Sequence, residues 1–500
     1  MVRIGVLREV LGGELVGAST SVDLLDVELD SRRVMQGALF AALPGGKADG
    51  STYVREAIAR GAAAVLTPTK LEGVAPHVVQ WVHADARRVA GRAAALVHEQ
   101  PSASLYTVGV TGTNGKTTVA HLTGQLLQKL GRNPAVLGTA GNKIAGGRFE
   151  PATHTTLDAP SLQRLLAAHR RAGGDSVALE LSSHALDQDR HAGLEFDVAL
   201  FTNLTRDHLD YHGGFESYAS AKEKLFASLA EGATAVVNAD DSAAERMAAA
   251  ARATGASVLR FSTRSRADLW ASDVVIDPQG TQFSVHGMGI PRTRVCLPLS
   301  GRFNVENALA ALAAVLVSGA SPSQCVEGLA TVSAAPGRLE SVPTGERGFR
   351  VFVDYAHTED ALRKVLATLR ESLDSTLPKA DKRRGRLICV FGCGGDRDSG
   401  KRAPMGRVVN ELADIAVVTS DNPRSEDPAV IIDSILSGMR PARTRILVEA
   451  DRRVAIERAM LTAEAGDVVL IAGKGHETTQ TIGRDSLPFD DRKVAAEALQ

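Results

Sequence analysis

Short uninterrupted apolar runs, each followed by a polar turn and a helical stretch, recur along this chain and restrict its fold more than any other feature. Residues 105–110, 177–181, 198–202 and 235–238 form one set; residues 351–353, 387–391, 415–418 and 468–471 form another. Runs this short, without polar alternation, read as strands buried on both faces. Strands alternating with helices imply largely parallel α/β sheets.

The chain's 500 residues exceed what one core supports, so several domains are expected. Early on, Glu56 to Gly61 reads as a helix with a glycine stop, and Ala64-Val65-Leu66 as the strand that follows. A helical stretch over 84–98 ends before Pro101, and Pro336-Gly337-Arg338 with Pro343-Thr344-Gly345 marks a second boundary. The expected domains are 1–103, 104–335 and 336–500. Behind a glycine loop, Val119, Leu122, Leu126, Leu127 and Leu130 share one helix face, closed by Gly131. Residues 258–300 read as short alternating strands, 304–316 as a helix, and the basic stretch 379–386 as a solvated loop.

A formal net charge of -1 gives no electrostatic reason for a nucleic-acid or membrane partner. No apolar run reaches the ~20 residues a membrane span needs, and none at the N-terminus resembles a signal peptide, so a cytoplasmic protein is expected. Cys296, Cys325, Cys389 and Cys393 are too few and scattered for a disulfide framework. They are expected to be buried or semi-buried thiols in a reducing compartment.

Thr111-Gly112-Thr113-Asn114-Gly115-Lys116-Thr117 lies between a strand and a helix, the context in which backbone N–H groups and a helix N-terminus cradle phosphate. Lys116 would reach the β/γ phosphates and the Thr117 hydroxyl would ligate Mg²⁺. Val110 stands where the standard phosphate loop has its first glycine, which argues against ordinary kinases and GTPases. Glu180 ends the strand 177–181, at the carboxyl edge where α/β sheets bind ligands. It is either a hard-cation ligand or a surface carboxylate. Residues 203–213 crowd polar and ionisable groups, His208 among them, after another strand; alone, His208 also reads as a structural histidine. Lys222 and Lys224 follow on a helix, where either could simply be solvated.

Together these segments resemble the Mur ligase family, whose members build the peptide stem of bacterial peptidoglycan. The resemblance runs from Asp30-Ser31-Arg32 to Gly473-Lys474-Gly475-His476-Glu477. It implies a three-domain α/β architecture, with a central P-loop ATPase-like parallel sheet and a C-terminal Rossmann-like domain. It further implies ATP held by Thr111, Gly112, Thr113, Asn114, Gly115, Lys116, Thr117 and Thr118, with Asn304, Asn307 and Asp354. Mg²⁺ would be held on Thr117, Glu180, His208 and Lys222, the lysine carrying a CO₂-derived carbamate; Lys116, Lys222, Glu180 and His208 would be the catalytic set. The uridine end of a UDP-sugar peptide would meet Leu29, Ser31 and the loop Gly46-Lys47-Ala48. Its muramoyl-dipeptide part would meet Thr155, Thr156, Ser182, Gln188 and Arg190. His154 is a departure, since related enzymes often have Asn there.

Within the family, Asp421-Asn422-Pro423-Arg424 resembles the form that accepts meso-diaminopimelate. As local structure the tetrapeptide is also a turn leading into a helix, which explains Asn422 and Pro423 but not Arg424. Diaminopimelate differs from lysine by a distal carboxylate that a guanidinium can pair with bidentately. Arg397, Gly473 and Glu477 would hold its other charged groups. The implied reaction joins that amine to the D-glutamate γ-carboxylate of UDP-MurNAc-L-Ala-D-Glu through an acyl phosphate, by a chain expected to act as a monomer on small molecules. No residue stands out as the base for the incoming amine. The alternatives are an L-lysine-adding homologue, a folylpolyglutamate synthetase-like ligase, and a non-catalytic nucleotide sensor.

Overall fold

A computed structural model describes residues 1–17, 21–45, 49–147, 149–152, 154–277, 280–375 and 384–500. Gly46, Lys47, Ala48 and most of the basic stretch 379–386 therefore lie outside the described residues. The chain divides into two compact units, Met1–Leu269 with Ala310–Ser321, and Trp270–Leu309 with Pro322–Gln500.

Besides a short antiparallel pair, Val2–Arg3 with Asp23–Leu24, the first unit carries two larger sheets. In one, Asp26–Glu28, Ala38–Ala41, Ala64–Thr67 and Val79–Val82 run parallel, with Glu14–Val16 antiparallel at the edge. Val89, Ala90 and Ala93 of the helix Ala86–Val97 pack on Val27, Leu39, Leu66 and Trp81 of this sheet. In the other sheet, six parallel strands lie in the order Pro134–Gly138, Ser176–Glu180, Tyr106–Thr111, Val198–Phe201, Thr234–Asn238 and Ser257–Ser262. After Tyr106–Thr111 the chain lays Pro134–Gly138 and then Ser176–Glu180 on one side and crosses to Val198–Phe201 on the other. That reversal opens a crevice at the carboxyl end of Tyr106–Thr111, where such sheets bind ligands. The helix Lys116–Lys129 follows at once, with Val119, Leu122, Leu126 and Leu127 buried as the periodicity predicts.

The second unit carries a hairpin, Gly280–Gly287 with Ile290–Leu297, and a six-stranded sheet. Arg350–Asp354, Val468–Ala472, Leu387–Phe391, Ile415–Val418 and Arg445–Val448 are parallel in that order, and Glu340–Val342 adds an antiparallel edge. Helices cover both faces. Leu362, Leu366 and Leu369 of Glu359–Ser375 are fully buried on one face, each contributing ~1.5–3 kcal/mol. Ile456 and Ala459 of Arg452–Thr462 cover the other. The hairpin strands are longer than the short runs expected over 258–300. The expectation for the cysteines fails at Cys296, which is exposed: it sits on the outward face of Ile290–Leu297, between inward Val295 and Leu297, where strand alternation outweighs its apolar preference. Cys325, Cys389 and Cys393 are buried. Among the described residues no helix is long and apolar enough to cross a membrane.

Candidate active site

The phosphate-type loop is tied down from the neighbouring strand end. Thr113 N–H donates to Asn203 O (2.8 Å), Asn114 N–H to Asn203 Oδ1 (3.0 Å) and Thr202 Oγ1 to Asn114 O (2.6 Å). Gly112 is required here, because its φ is +149° and a Cβ would collide with Thr202 Oγ1. Lys116 folds back on the loop, donating to Gly112 O and Thr113 O at 2.9 Å each. Thr111 bonds Leu181 O and is buried, as is Thr118 in the helix.

Lys222 is not solvated. Its side chain is 1% exposed, donates to Gly112 O at 2.8 Å and lies 4.5 Å from the Tyr218 ring centroid. Burial, reinforced by the positive charge of Lys116, holds its amine well below the usual lysine range, with Asp207 opposing. Lys224, by contrast, is partly exposed and bonds the Asp187 carbonyl at 3.0 Å, a helix-to-helix tie.

Glu180 is 2% exposed, so it is no surface carboxylate. It accepts from Thr139 N (2.8 Å), Thr139 Oγ1 (3.1 Å) and Thr117 Oγ1 (3.0 Å). None of these partners is a cation. A buried carboxylate that accepts from neutral donors, one of them the Thr117 hydroxyl, is a donor set suited to a hard divalent ion. Gly138 makes the approach possible, since a Cβ there would overlap the Glu180 carboxylate. His208 is half-exposed at φ +53°, 3.6 Å from Asp207 and edge-on to His184, with ring centroids 4.8 Å apart. The Tyr211 ring lies tilted against His184, centroids 4.0 Å apart, and burial pushes the His184 imidazole down to about 4. Among the described residues no three His, Cys, Asp or Glu side chains converge as a ready-made metal cluster. Thr117 and Glu180 are joined directly, and Lys222 meets Lys116 at the Gly112 carbonyl, whereas His208 reaches none of them by a hydrogen bond.

The residues expected to meet a peptide substrate form one network at the end of Ser176–Glu180. Thr156 Oγ1 donates to Glu180 O (2.8 Å) and accepts from Ser182 N–H (3.1 Å), and Thr155 accepts from Thr139. Arg190 donates to Thr156 O (2.8 Å) and grips Gln188 Oε1 through two nitrogens (3.2 and 2.8 Å). Leu29, Gln188 and Arg190 line a cavity of about 190 Å³ with Arg87, Asp158 and His154. Ser31 is buried and bonds Glu56 Oε2 at 2.8 Å.

In the second unit, Asp421-Asn422-Pro423-Arg424 leaves the strand Ile415–Val418 at its carboxyl end. Lys474, fully buried, donates to Asn422 Oδ1 (3.2 Å), Glu477 Oε2 (2.9 Å) and Thr479 O (2.7 Å), and Asn422 Nδ2 bonds the same Glu477 oxygen at 2.9 Å. Arg424 spends one nitrogen on Gly395 O (2.7 Å) and Asn422 O (3.5 Å); its Nε and Nη2 have no partner among the described residues. A Cβ on Gly394 would lie 3.0 Å from Arg424 Nη1 and 3.8 Å from Arg397 Cγ, so both guanidinium stems flank that glycine. Gly473 leaves room for Asp421 Oδ2, 2.6 Å from where a Cβ would be. Asp354 ends its strand buried, accepting from Leu339 N (2.6 Å) and Ala356 N (2.7 Å), and burial raises its carboxyl. Asn304 and Asn307 bond one another at 3.2 Å near the start of Arg302–Val317.

Sequence reasoning missed Thr139, His184, Arg87 and Lys474. Thr139 and Arg87 carry no spacing signal, because sheet order and a cavity bring them in; Lys474 lay inside a quoted motif.

Family comparison decides among the readings. Residues 26–98 match the Mur ligase family catalytic domain, 110–315 the Mur ligase middle domain, and 337–475 the Mur ligase glutamate ligase domain. The chain is 43% identical over 478 residues to the UDP-N-acetylmuramoyl-L-alanyl-D-glutamate--2,6-diaminopimelate ligase of Gloeobacter violaceus, covering 96% of this chain and 94% of that one. This chain belongs to the Mur ligase family. The Geobacillus thermodenitrificans protein of the same name is 40% identical to this Mur ligase over 507 residues, covering 100% and 99%. A solved structure of a ligase of that name matches with TM-score 0.72 and 37% identity over 100% of this chain and 98% of its own. The MurF ligase of Thermotoga maritima in complex with ADP shares the fold, with TM-score 0.60, 19% identity and coverages of 95% and 96%. The Mur ligase architecture of three α/β domains is therefore that of this chain.

Proposed function

We propose that this Mur ligase uses ATP to add meso-2,6-diaminopimelate to the D-glutamate γ-carboxylate of UDP-MurNAc-L-Ala-D-Glu, in peptidoglycan precursor synthesis. The observation that carries the substrate assignment is full-length similarity, at 40–45% identity, to relatives bearing that activity in their names.

The γ-carboxylate oxygen attacks the γ-phosphorus of ATP, ADP departs, and the acyl phosphate is then attacked by the diaminopimelate amine as phosphate leaves. Catalysis of the first step is mostly positioning and charge neutralisation. Lys116 swings from its loop carbonyls to the terminal phosphates, while the loop amides hold the rest. Thr117, Glu180, His208 and a carbamate on Lys222 would hold Mg²⁺, which when bound supplies a fixed positive charge for the phosphate oxygens. The carbamate forms when the neutral Lys222 amine adds CO₂ and releases a proton. The depressed basicity of Lys222 supports this, because only the unprotonated amine reacts.

Thr155, Thr156, Ser182, Gln188 and Arg190 would orient the muramoyl peptide, with Leu29 and Ser31 toward the uridine end. Arg424, with two sets of guanidinium N–H donors unengaged, would take the distal carboxylate of diaminopimelate, and Glu477 with Asp421 its ammonium side. The fold likeness to Mycobacterium tuberculosis folylpolyglutamate synthase is 21% identical, with TM-score 0.61, and covers 77% of this chain. The substrate panel separates the readings: phosphate release and amide product should appear with UDP-MurNAc-L-Ala-D-Glu plus diaminopimelate. Equal product with lysine or ornithine would refute the specificity, and turnover with folate plus glutamate would refute the substrate assignment.

A further inference from the structure

Behind the loop that carries Gln188 and Arg190 lies a second cavity of about 410 Å³ that the ligase reaction does not use. Its size falls in the range of small-molecule sites. The turn 189–194 that lines it is fixed by a close backbone contact with the helix Ala86–Val97. A Cβ on Gly91 would come within 2.6 Å of Ala192 O, and one on Gly193 within 2.7 Å of Gly91 O.

Charges of both signs line this cavity with no ion pair between them among the described residues, although the charges of Lys224 and Arg88 reach Asp189 at longer range. Arg88 and Arg92 stand one turn apart on the helix, and neither makes an ion pair or side-chain hydrogen bond among the described residues. Asp189 and Glu195 approach from the turn, and their carboxylates are equally without such a partner among the described residues. Asp189 is held at φ +51°, a strained setting for a non-glycine residue, and burial pushes its carboxyl up. His191 lines the same space at 9% exposure, with a buried Nδ1 that has no hydrogen-bond partner among the described residues. Leu11, Leu96 and Leu194 supply apolar wall.

We propose that this cavity is an accessory site for a small zwitterion with an apolar side chain, an amino acid or short peptide. Its carboxylate pairs with Arg88 and Arg92, its ammonium with Asp189 and Glu195, and its side chain lies on the leucines. A simple anion would meet two carboxylates, and a simple cation two guanidiniums; only a ligand carrying both charges matches all four groups. Because Asp189 adjoins Gln188 and Arg190, occupancy also stiffens the loop facing the other cavity.

The test is titration of the full chain with L-leucine, L-alanyl-L-leucine, 4-methylpentanoate and 3-methylbutylamine, read by ligand-observed NMR. The proposal expects millimolar or tighter binding of leucine or the dipeptide, whichever fits better, and at least about tenfold weaker binding of both singly charged analogues. Arg88→Ala/Arg92→Ala and, separately, Glu195→Gln should each weaken the zwitterion by about tenfold or more while leaving the thermal midpoint and basal ligation unchanged. Equal binding of the singly charged analogues, binding indifferent to both variants, or no binding of any probe overturns it.

Discussion

Arg452 is the residue whose removal should most clearly join stability to substrate recognition. It is fully buried and forks onto Asp491, also fully buried, through Nε–Oδ1 at 2.8 Å and Nη2–Oδ2 at 2.7 Å. The same guanidinium donates to Ser420 O (3.3 Å) and Ala472 O (3.0 Å), the carbonyls that precede Asp421 and Gly473. Arg452→Met keeps the apolar stem but strands a carboxylate, at a cost of about 3–5 kcal/mol. Two carbonyls lose donors at ~1 kcal/mol each. Asp491 at the first turn of the helix Asp491–Ala498 recovers part of this through the helix dipole, so ~4 kcal/mol is the expected net loss. Hydrogen exchange is the suitable assay, because a multidomain chain does not unfold in one step. Amides of Val468–Ala472 should exchange roughly 10³-fold faster. Adding Asp491→Leu removes the stranded charge and should restore protection to within about tenfold, while KM for diaminopimelate should be raised in both variants because the Ser420 and Ala472 carbonyls lack their donor in each. If the double variant exchanges as fast as the single one, lost packing rather than a stranded charge is the cause, and the reasoning fails.

Lys222→Ala should lower turnover by about 10²–10³-fold and recover partly with added short carboxylic acids; absence of any rescue counts against a carbamate. Arg424→Ala should raise KM for diaminopimelate by about 10²-fold while ATP affinity changes little, and matched losses in both would make the loop structural only. Gly112→Ala should abolish ATP binding in a folded protein, checked by nucleotide titration beside circular dichroism; normal binding would show that the loop tolerates a Cβ. Burial, with Arg338 and Arg492 nearby, pushes His476 down to about 4. The folded chain therefore holds fewer protons there than the unfolded chain, whose histidine titrates near ~6.5. That contribution is complete above the unfolded value and is lost as pH falls from ~6.5 toward 4. His476→Asn should flatten the fall of thermal midpoint over this window; an unchanged slope would show that His476 does not titrate as described.

The sheets were legible because buried parallel strands must be apolar throughout: Leu387–Phe391 and Ile415–Val418 end where their runs end. The phosphate-type loop was legible for a related reason, since Gly112 and Gly115 occupy positive φ that few other residues tolerate. What sequence could not give was distance. Thr139 contacts Glu180 only because Pro134–Gly138 pairs beside Ser176–Glu180, a sheet order that no local pattern encodes. Whether Lys222 or Lys224 was the buried amine also depended on tertiary packing, since the two lie two positions apart on one helix with similar flanks. Cys296 shows the converse, a residue type that prefers burial placed outward by strand alternation.

The central claim is that the peptide acid is phosphorylated before the amide forms. Reaction with UDP-MurNAc-L-Ala-D-Glu carrying ¹⁸O in its γ-carboxylate tests this directly, with the released phosphate analysed by mass spectrometry. An acyl-phosphate route transfers one labelled oxygen from the carboxylate to phosphate in each turnover. Unlabelled phosphate accompanying full amide formation would contradict the account.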